Sequence, residues 1–312
     1  MVVDAAEGTI EHRVFRDLPL LLRPGDALVL NETKVLPARL IARKPTGGEV
    51  ELLFLRDLGP EAGNAWEVLA RPSKRLKPGG RLLAGGAKLD LVANLGGGRW
   101  SVSAPDVPAV LEEHGRVPLP PYIEPTPEAE ARYQTVYARE PGSAAAPTAG
   151  FHFTEGVLEG ARRAGAEVSR VTLHVGTGTF LPVRTERLED HEMHAERYGV
   201  PAEAARAIEG AWRVFAAGTT VARTLETWAG TGARGGESRL FVYPGYRWRA
   251  VDALITNFHL PRSTLLAMVM SFGGVDLVRE AYRVAIEQEY RFYSFGDAMI
   301  ILNGGRAAGG TP

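Results

Sequence analysis

The chain has no cysteine among its 312 residues. That excludes disulfides, iron–sulfur clusters and thiolate zinc sites, and is the pattern expected of a cytoplasmic protein. It also lacks any apolar run near the roughly twenty residues that a membrane-spanning helix needs, and no membrane partner is expected. Its first residues show no basic-then-apolar leader. Neither sign of charge dominates: 36 Lys and Arg against 37 Asp and Glu leave a formal net charge of −1. A generic nucleic-acid binder with an overall basic field is therefore disfavoured, and any RNA contact has to come from a local patch. Length and apolar content suffice for two cores.

The texture along the chain changes twice. Residues 26–31 read as a buried strand ending in polar residues, and 38–43 as a second strand. From 43 to 115, short runs at 49–55, 66–71, 81–83, 88–93 and 100–103 are separated by Gly-Gly, Pro-Gly and Gly-Gly-Gly, with one helical stretch at 107–113. Strands at that spacing predict a small barrel-like all-β domain over 43–115, inserted into a unit made of 1–42 and 116–312. A proline-dense segment at 117–127 excludes a regular helix, and a long loop is expected at 138–150. Beyond it, helices at 154–164, 201–209, 219–228, 263–270 and 275–290 alternate with strands at 168–174, 212–217, 240–243 and 251–256. Such alternation argues for an α/β main domain. The Gly- and Ala-rich tail at 303–312 is expected to be disordered.

Five of the seven histidines fall between residues 152 and 259, each in a short run of small residues, Phe and Pro or beside carboxylates. The runs are Pro147-Thr-Ala-Gly-Phe-His152-Phe153, Val171-Thr-Leu-His174-Val-Gly176-Thr-Gly178-Thr179-Phe180, Asp190-His191-Glu192-Met-His194-Ala-Glu196 and Thr256-Asn257-Phe258-His259-Leu-Pro261. Imidazole titrates near neutrality, so the cluster suits proton transfer or metal binding. Any one of these rings taken alone is as readily a hydrogen-bonded structural histidine. Small neighbours let a ligand approach the backbone, and a flanking Phe offers a stacking surface, although core packing is the simpler role for Phe153 and Phe258.

Two look-alike motifs fail on spacing. Gly176-Thr-Gly178 lacks the third glycine of a dinucleotide fingerprint, because Leu181 stands there. His191-Glu192-Met-His194 brings the second histidine one residue too early for a zinc protease helix, so no metal is expected. Gly218-Thr219-Thr220 follows a strand and opens a helix, which offers free N–H groups to an anion. Arg223 and Glu226 share a helix face with Thr219, where they could bind a methionine moiety or form an ordinary surface ion pair. Asn31, Thr33 and Arg39 follow a strand end. Arg71, Lys74, Arg75 and Lys77 place four cations within seven residues of the inserted domain, either a solvated tip or a phosphate-tracking patch.

These runs, with Asn31-Glu-Thr-Lys-Val-Leu-Pro-Ala-Arg39 before them and Gly218-Thr-Thr-Val-Ala-Arg223-Thr-Leu-Glu226 between, resemble the S-adenosylmethionine:tRNA ribosyltransferase-isomerase family of queuosine biosynthesis. The resemblance spans residues 8–302. It implies a cytoplasmic transferase that moves and isomerises the ribosyl part of S-adenosylmethionine onto the aminomethyl-deazaguanine wobble base of a tRNA with a GUN anticodon. The product is epoxyqueuosine-tRNA, with adenine and methionine released. S-adenosylmethionine is then a donor substrate, and a monomer is expected. A base must remove the proton beside the sulfonium, and an acid must protonate departing adenine. His152, His174, His191, His194 and His259 are the candidates, with Glu192 and Glu226 as carboxylate partners and Asp190, Glu192 and Glu196 orienting the rings. The substrate-binding set is Asn31, Thr33, Arg39, Phe153, Gly176, Gly178, Thr179, Phe180, Gly218, Thr219, Thr220, Arg223, Asn257 and Phe258. Members of that family carry a further stretch ahead of the segment matching residues 8–12, so an edge element is expected to differ here. Two other classes fit the residues alone, a metal-dependent hydrolase using the histidines and a non-catalytic RNA-binding protein.

Overall fold

The computed structural model describes residues 1–120, 122–176, 183 and 185–304. Two compact units emerge. One comprises Met1–Thr33, Thr135–Glu140 and Pro147–Pro312; the other comprises Lys34–Gln134 and Pro141–Ala146.

The first unit is built on a nine-stranded mixed sheet. Its strand order is Gly235–Ser238, Glu196–Gly199, Glu167–Leu173, Asp26–Asn31, Arg213–Ala217, Ala253–Asn257, Ala298–Leu302, Val2–Asp4 and Thr9–Glu11. The four strands Glu167–Leu173, Asp26–Asn31, Arg213–Ala217 and Ala253–Asn257 run parallel to one another. Asp26–Asn31 is buried at every position, as a parallel strand covered on both faces must be. The parallel strands that flank it both come later in the chain and lie on opposite sides: Glu167–Leu173 on one, Arg213–Ala217 on the other. That reversal makes a topological switch point beside Asn31, and open α/β sheets bind ligands outside the strand C-termini at such a point.

The helix Thr219–Thr231 leaves that edge directly after Ala217. Its N-cap, Gly218, has φ of 107°, a backbone state that disfavours any side chain. Residues 219–227 are all buried. Threonines are poor helix formers, but here Thr224, Thr227 and Thr231 return their hydroxyls to the carbonyls four residues back, at 2.9, 2.7 and 2.8 Å. This satisfies their polar groups inside the fold. Helix Glu155–Arg163 is capped by Thr154, whose hydroxyl accepts from the Val157 N–H.

The second unit is a closed six-stranded barrel of Arg99–Ser103, Trp66–Arg71, Glu49–Asp57, Arg39–Arg43, Arg81–Ala84 and Ala87–Gly96. Closure leaves no exposed strand edge. Alternate residues point inward, so that Leu40, Val50, Leu52, Phe54, Leu89 and Trp100 fill the interior, and helix Val107–His114 adds Val107 and Leu111. Residues 39–42, expected with the first unit, join Arg43 in a barrel strand.

Three further differences are instructive. The strand expected at 240–243 is absent; Gly235–Ser238 pairs with Glu196–Gly199 instead. Phe241 and Tyr243 contact each other at 5.1 Å, and Val242 is buried, so this apolar run is used for packing rather than pairing. The loop expected at 138–150 contains the short strand Glu140–Ser143 and the 3-10 turn Thr148–His152. Strands Val2–Asp4, Thr9–Glu11, Glu196–Gly199 and Ala298–Leu302 were not anticipated. Disorder expected at 303–312 concerns residues that lie mostly outside the described ones.

A Cβ on Gly115 would collide with the carbonyl oxygens of Pro37 and Leu111, which are backbone and cannot rotate away. Gly115→Ala should destabilise the protein by about 1–3 kcal/mol, whereas Gly48→Ala, meeting only a flexible lysine stem, should be near neutral. Urea unfolding of both variants tests this; equal midpoints would show that the barrel yields at Gly115.

Candidate functional site at the strand C-termini

The switch point is organised by the Asn31 carboxamide, which is fully buried. Its Nδ2 donates to the Leu173 carbonyl at 3.0 Å and to Thr220 Oγ1 at 3.2 Å, while its Oδ1 accepts from the backbone N–H of Leu173 and Thr33 at 3.0 and 3.2 Å. Two strand ends and the helix N-terminus are thus held by one side chain.

His174 follows directly. Thr33 Oγ1 reaches the Glu140 carbonyl at 3.5 Å and His174 Nδ1 at 2.9 Å. A carbonyl only accepts, so the hydroxyl proton goes to Glu140 and the oxygen accepts from Nδ1–H. In this tautomer the Nε2 lone pair of His174 has no partner among the described residues. Burial, then the nearby Arg197, lowers its pKa, and Glu140 opposes them, so the ring is neutral at neutral pH.

His152 has a different assignment. Asn257, buried to 2% exposure, donates Nδ2 to the Tyr293 carbonyl at 3.0 Å, and Thr148 Oγ1 donates to its Oδ1 at 3.4 Å. The amide orientation is fixed by these partners, so its second Nδ2 proton goes to His152 Nε2 at 3.1 Å. Burial lowers this histidine to about 4. It lines a cleft of about 490 Å³ with Phe15, Tyr290, Arg291 and Asp297, a size that encloses a small organic ligand. His152 and His174 belong to one edge: Gly218 donates to the Ile255 carbonyl at 2.8 Å, and Ala149 lies against Gly218.

Other expected residues take other positions. Arg223 is buried and pairs with Glu196, whose Oε1 also accepts from the Gly176 N–H at 2.8 Å. Burial brings Arg223 down to about 10, still cationic at neutral pH. Glu196 therefore ties the start of the Gly176 loop to the helix. Glu226 is no carboxylate partner for a histidine. Buried to 1% exposure, it accepts from the N–H groups of Arg249 and Ala250, each at 2.9 Å, from Val251 at 3.3 Å and from Tyr246 Oη at 3.1 Å. Burial raises its pKa, and these four bonds oppose the rise.

His259 is locked by Thr256 Oγ1 at 2.8 Å on its Nε2, and burial lowers it to about 4. The His191 ring packs edge-on against Phe241 at 5.4 Å, and Glu192 and His194 are exposed. Phe153 and Phe258, readable in sequence as core aromatics or ligand contacts, are core residues: Phe153 packs on Phe15 at 5.0 Å, Phe258 on Tyr282, Tyr290 and Phe292. Thr219 and Thr220 are buried at the helix start. Gly178, Thr179 and Phe180 lie outside the described residues. Arg39 belongs to the barrel unit, as do Arg71, Lys74, Arg75 and Lys77, which are all exposed. Among the described residues no group of three or more His, Asp and Glu is placed to hold a metal ion.

The sequence reading missed Thr148, which fixes Asn257, and the segment 135–137 beneath Gly150. A signal was present in Tyr133-Gln-Thr-Val-Tyr137, a polar and aromatic run after a proline-dense segment.

A mixed sheet with its polar constellation at the strand C-termini defines a small-molecule-binding α/β protein carrying an inserted barrel. Comparison with known families makes this specific: residues 1–301 match the queuosine biosynthesis protein family, and the chain belongs to it. A Rubrobacter xylanophilus protein called S-adenosylmethionine:tRNA ribosyltransferase-isomerase is 69% identical over 308 residues, 98% of this chain and 91% of that protein. A Thermus thermophilus protein of the same name is 52% identical, covering 94% and 89%. The crystal structure of a Thermotoga maritima S-adenosylmethionine tRNA ribosyltransferase is 35% identical, with a TM-score of 0.53, and covers 97% of this chain and 91% of that one.

His152 and His259 are held neutral in the fold, whereas in the unfolded chain they titrate near 6.5. Their contribution to stability is full above about pH 6.5 and is lost as pH falls toward about 4, because only the unfolded state takes up the proton in that window. Denaturation measured from pH 7 to 4 should show stability falling, with a shallower slope in His259→Gln. An unchanged slope would mean that His259 is not buried neutral.

Proposed function

We propose that this chain is an S-adenosylmethionine:tRNA ribosyltransferase-isomerase of queuosine biosynthesis, and that S-adenosylmethionine binds at the switch point between Asn31, His174, Gly218 and the turn bearing His152. The observation carrying the assignment to this edge is the shared hydrogen-bond frame of Asn31, Thr220 and Leu173, which presents a histidine with a free Nε2 beside a glycine-opened helix. The acceptor is tRNA with a GUN anticodon bearing the aminomethyl-deazaguanine base, and the chain acts in the cytoplasm as a monomer without a metal.

His174 is our choice of general base. Its Nδ1 is engaged by Thr33 and its ring is neutral, so Nε2 is available to take the proton beside the sulfonium. His152, whose Nε2 is occupied by Asn257, carries its proton on Nδ1 and suits a donor toward departing adenine. The N–H group of Thr219, at the start of the helix that Gly218 opens, suits the donor's carboxylate. Glu196 takes the charge of Arg223, so Arg223 acts by holding the helix and loop rather than as a free cation.

For RNA, the support lies in pairing. In the barrel unit Arg43, Arg56, Arg81 and Arg99 each meet a carboxylate, while Arg71, Lys74, Arg75 and Lys77 have no ion-pair partner among the described residues. Leu76, at 9% exposure, anchors this tip in the barrel core. Unpaired exposed cations on a fixed tip suit phosphates. We also take residues 43–115 as the heart of a separable β unit.

Incubation with S-adenosylmethionine and precursor tRNA should release adenine and methionine; release of neither refutes the assignment. His174→Ala should lower turnover about 10²–10⁴-fold and abolish solvent exchange at the carbon beside sulfur, with tRNA binding retained. Exchange at the wild-type rate would remove His174 as the base. Lys74→Ala and Arg75→Ala should each weaken tRNA binding and reduce the salt slope by about 1; slopes equal to wild type would place the RNA elsewhere.

A further inference from the structure

Two buried hydroxyls lie under the turn that carries His152. Tyr137 and Thr135 are each 5% exposed, and neither Tyr137 Oη nor Thr135 Oγ1 has a hydrogen-bond partner among the described residues. Both side chains press on Gly150: a Cβ there would meet Tyr137 Oη and Thr135 Cγ2. Gly150 belongs to the turn Thr148–His152, whose Thr148 and His152 hold Asn257 and whose Ala149 touches Gly218. The segment is tied to the same strand end by the N–H groups of Arg139 and Glu140, which donate to the Glu32 carbonyl at 2.8 and 3.1 Å. The Tyr137 ring is packed in the core beside Phe153, at 6.3 Å, which fixes where its hydroxyl lies.

Buried hydroxyls are nearly always hydrogen-bonded, so two orphans on side chains that meet under one turn call for a partner. Both groups are neutral, and each can donate or accept. Burial penalises a charged partner, and the nearby Arg170 speaks further against an ammonium group. A pair of neutral hydroxyls on adjacent atoms matches them best.

We infer that Thr135 and Tyr137 form a subsite for the vicinal hydroxyls of the ribosyl group, in the donor site proposed above. The inference rests on that reading and adds the residues that recognise the transferred group. Gly150 is then required to be glycine because a side chain would push Tyr137 Oη off the ligand.

Tyr137→Phe and Thr135→Val each delete one hydroxyl and keep the shape. Unliganded, both variants should melt at or above the wild-type temperature, since an unsatisfied buried group has been removed. Calorimetry should show binding of S-adenosylmethionine, and of 5′-methylthioadenosine, weakened roughly threefold to tenfold by each change. For 3′-deoxy-5′-methylthioadenosine the penalty of at least one variant should vanish, a coupling that a structural role would not produce. Lower melting temperatures with unchanged affinities would overturn the inference, showing hydroxyls satisfied within the fold. So would equal penalties for the hydroxylated and deoxygenated probes. Wild-type protein that binds none of the three probes would refute the donor-site reading itself.

Discussion

A single buried amide governs how this molecule presents its site. The Asn31 side chain spends both its donors and both lone pairs on Leu173, Thr220 and the backbone of Thr33. No other polar side chain of similar length could do this, because aspartate lacks the donors and leucine lacks everything. Each bond contributes only about 0.5–1.5 kcal/mol, but leaving any of these buried groups unpaired would cost more. The strand end, the helix start and the His174 backbone consequently move together or not at all.

Charge follows the same logic of internal satisfaction. Arg223 with Glu196, and Glu226 with the backbone of residues 249–251, are buried ionic groups whose partners are protein atoms. Such groups are weak contributors to net stability but strongly destabilising when one partner is removed. Their use here is geometric: one fixes the opening of the Gly176 loop against the helix, the other fixes a loop against the helix's far half. His152, His174 and His259 are driven toward neutrality by burial, which is the state a proton acceptor needs.

Much of the fold could be read from the chain because it is coded locally. The barrel strands alternate and end at glycines, and the Thr154 and Gly218 helix starts carry their own signals. What escaped depends on distant pairing. Gly235–Ser238 is a strand only because Glu196–Gly199 offers it an edge, and Ala298–Leu302 pairs with Val2–Asp4 across almost the whole chain. For the candidate site, the histidine and threonine runs fall along the strand C-termini of the sheet. The division of labour was not legible, since the partner of His174 is Thr33, 141 residues away. Phe153 and Phe258 look like ligand stackers in sequence because an aromatic beside a glycine is written the same way whether it faces a ligand or a core.

The parallel neighbours Asp26–Asn31 and Glu167–Leu173 are joined by an amide reaching 142 residues along the chain. During synthesis at about 5–20 residues per second, the first of these strands would wait some 7–30 s for its partner. In that interval a strand with an apolar centre, Ala27 to Leu30, is outside the ribosome with unpaired backbone. The barrel, assembled from contacts within its own stretch of sequence, can fold in the meantime. The nascent chain thus passes through a state with one finished unit and one exposed strand, which is the stage at which a chaperone has most to protect.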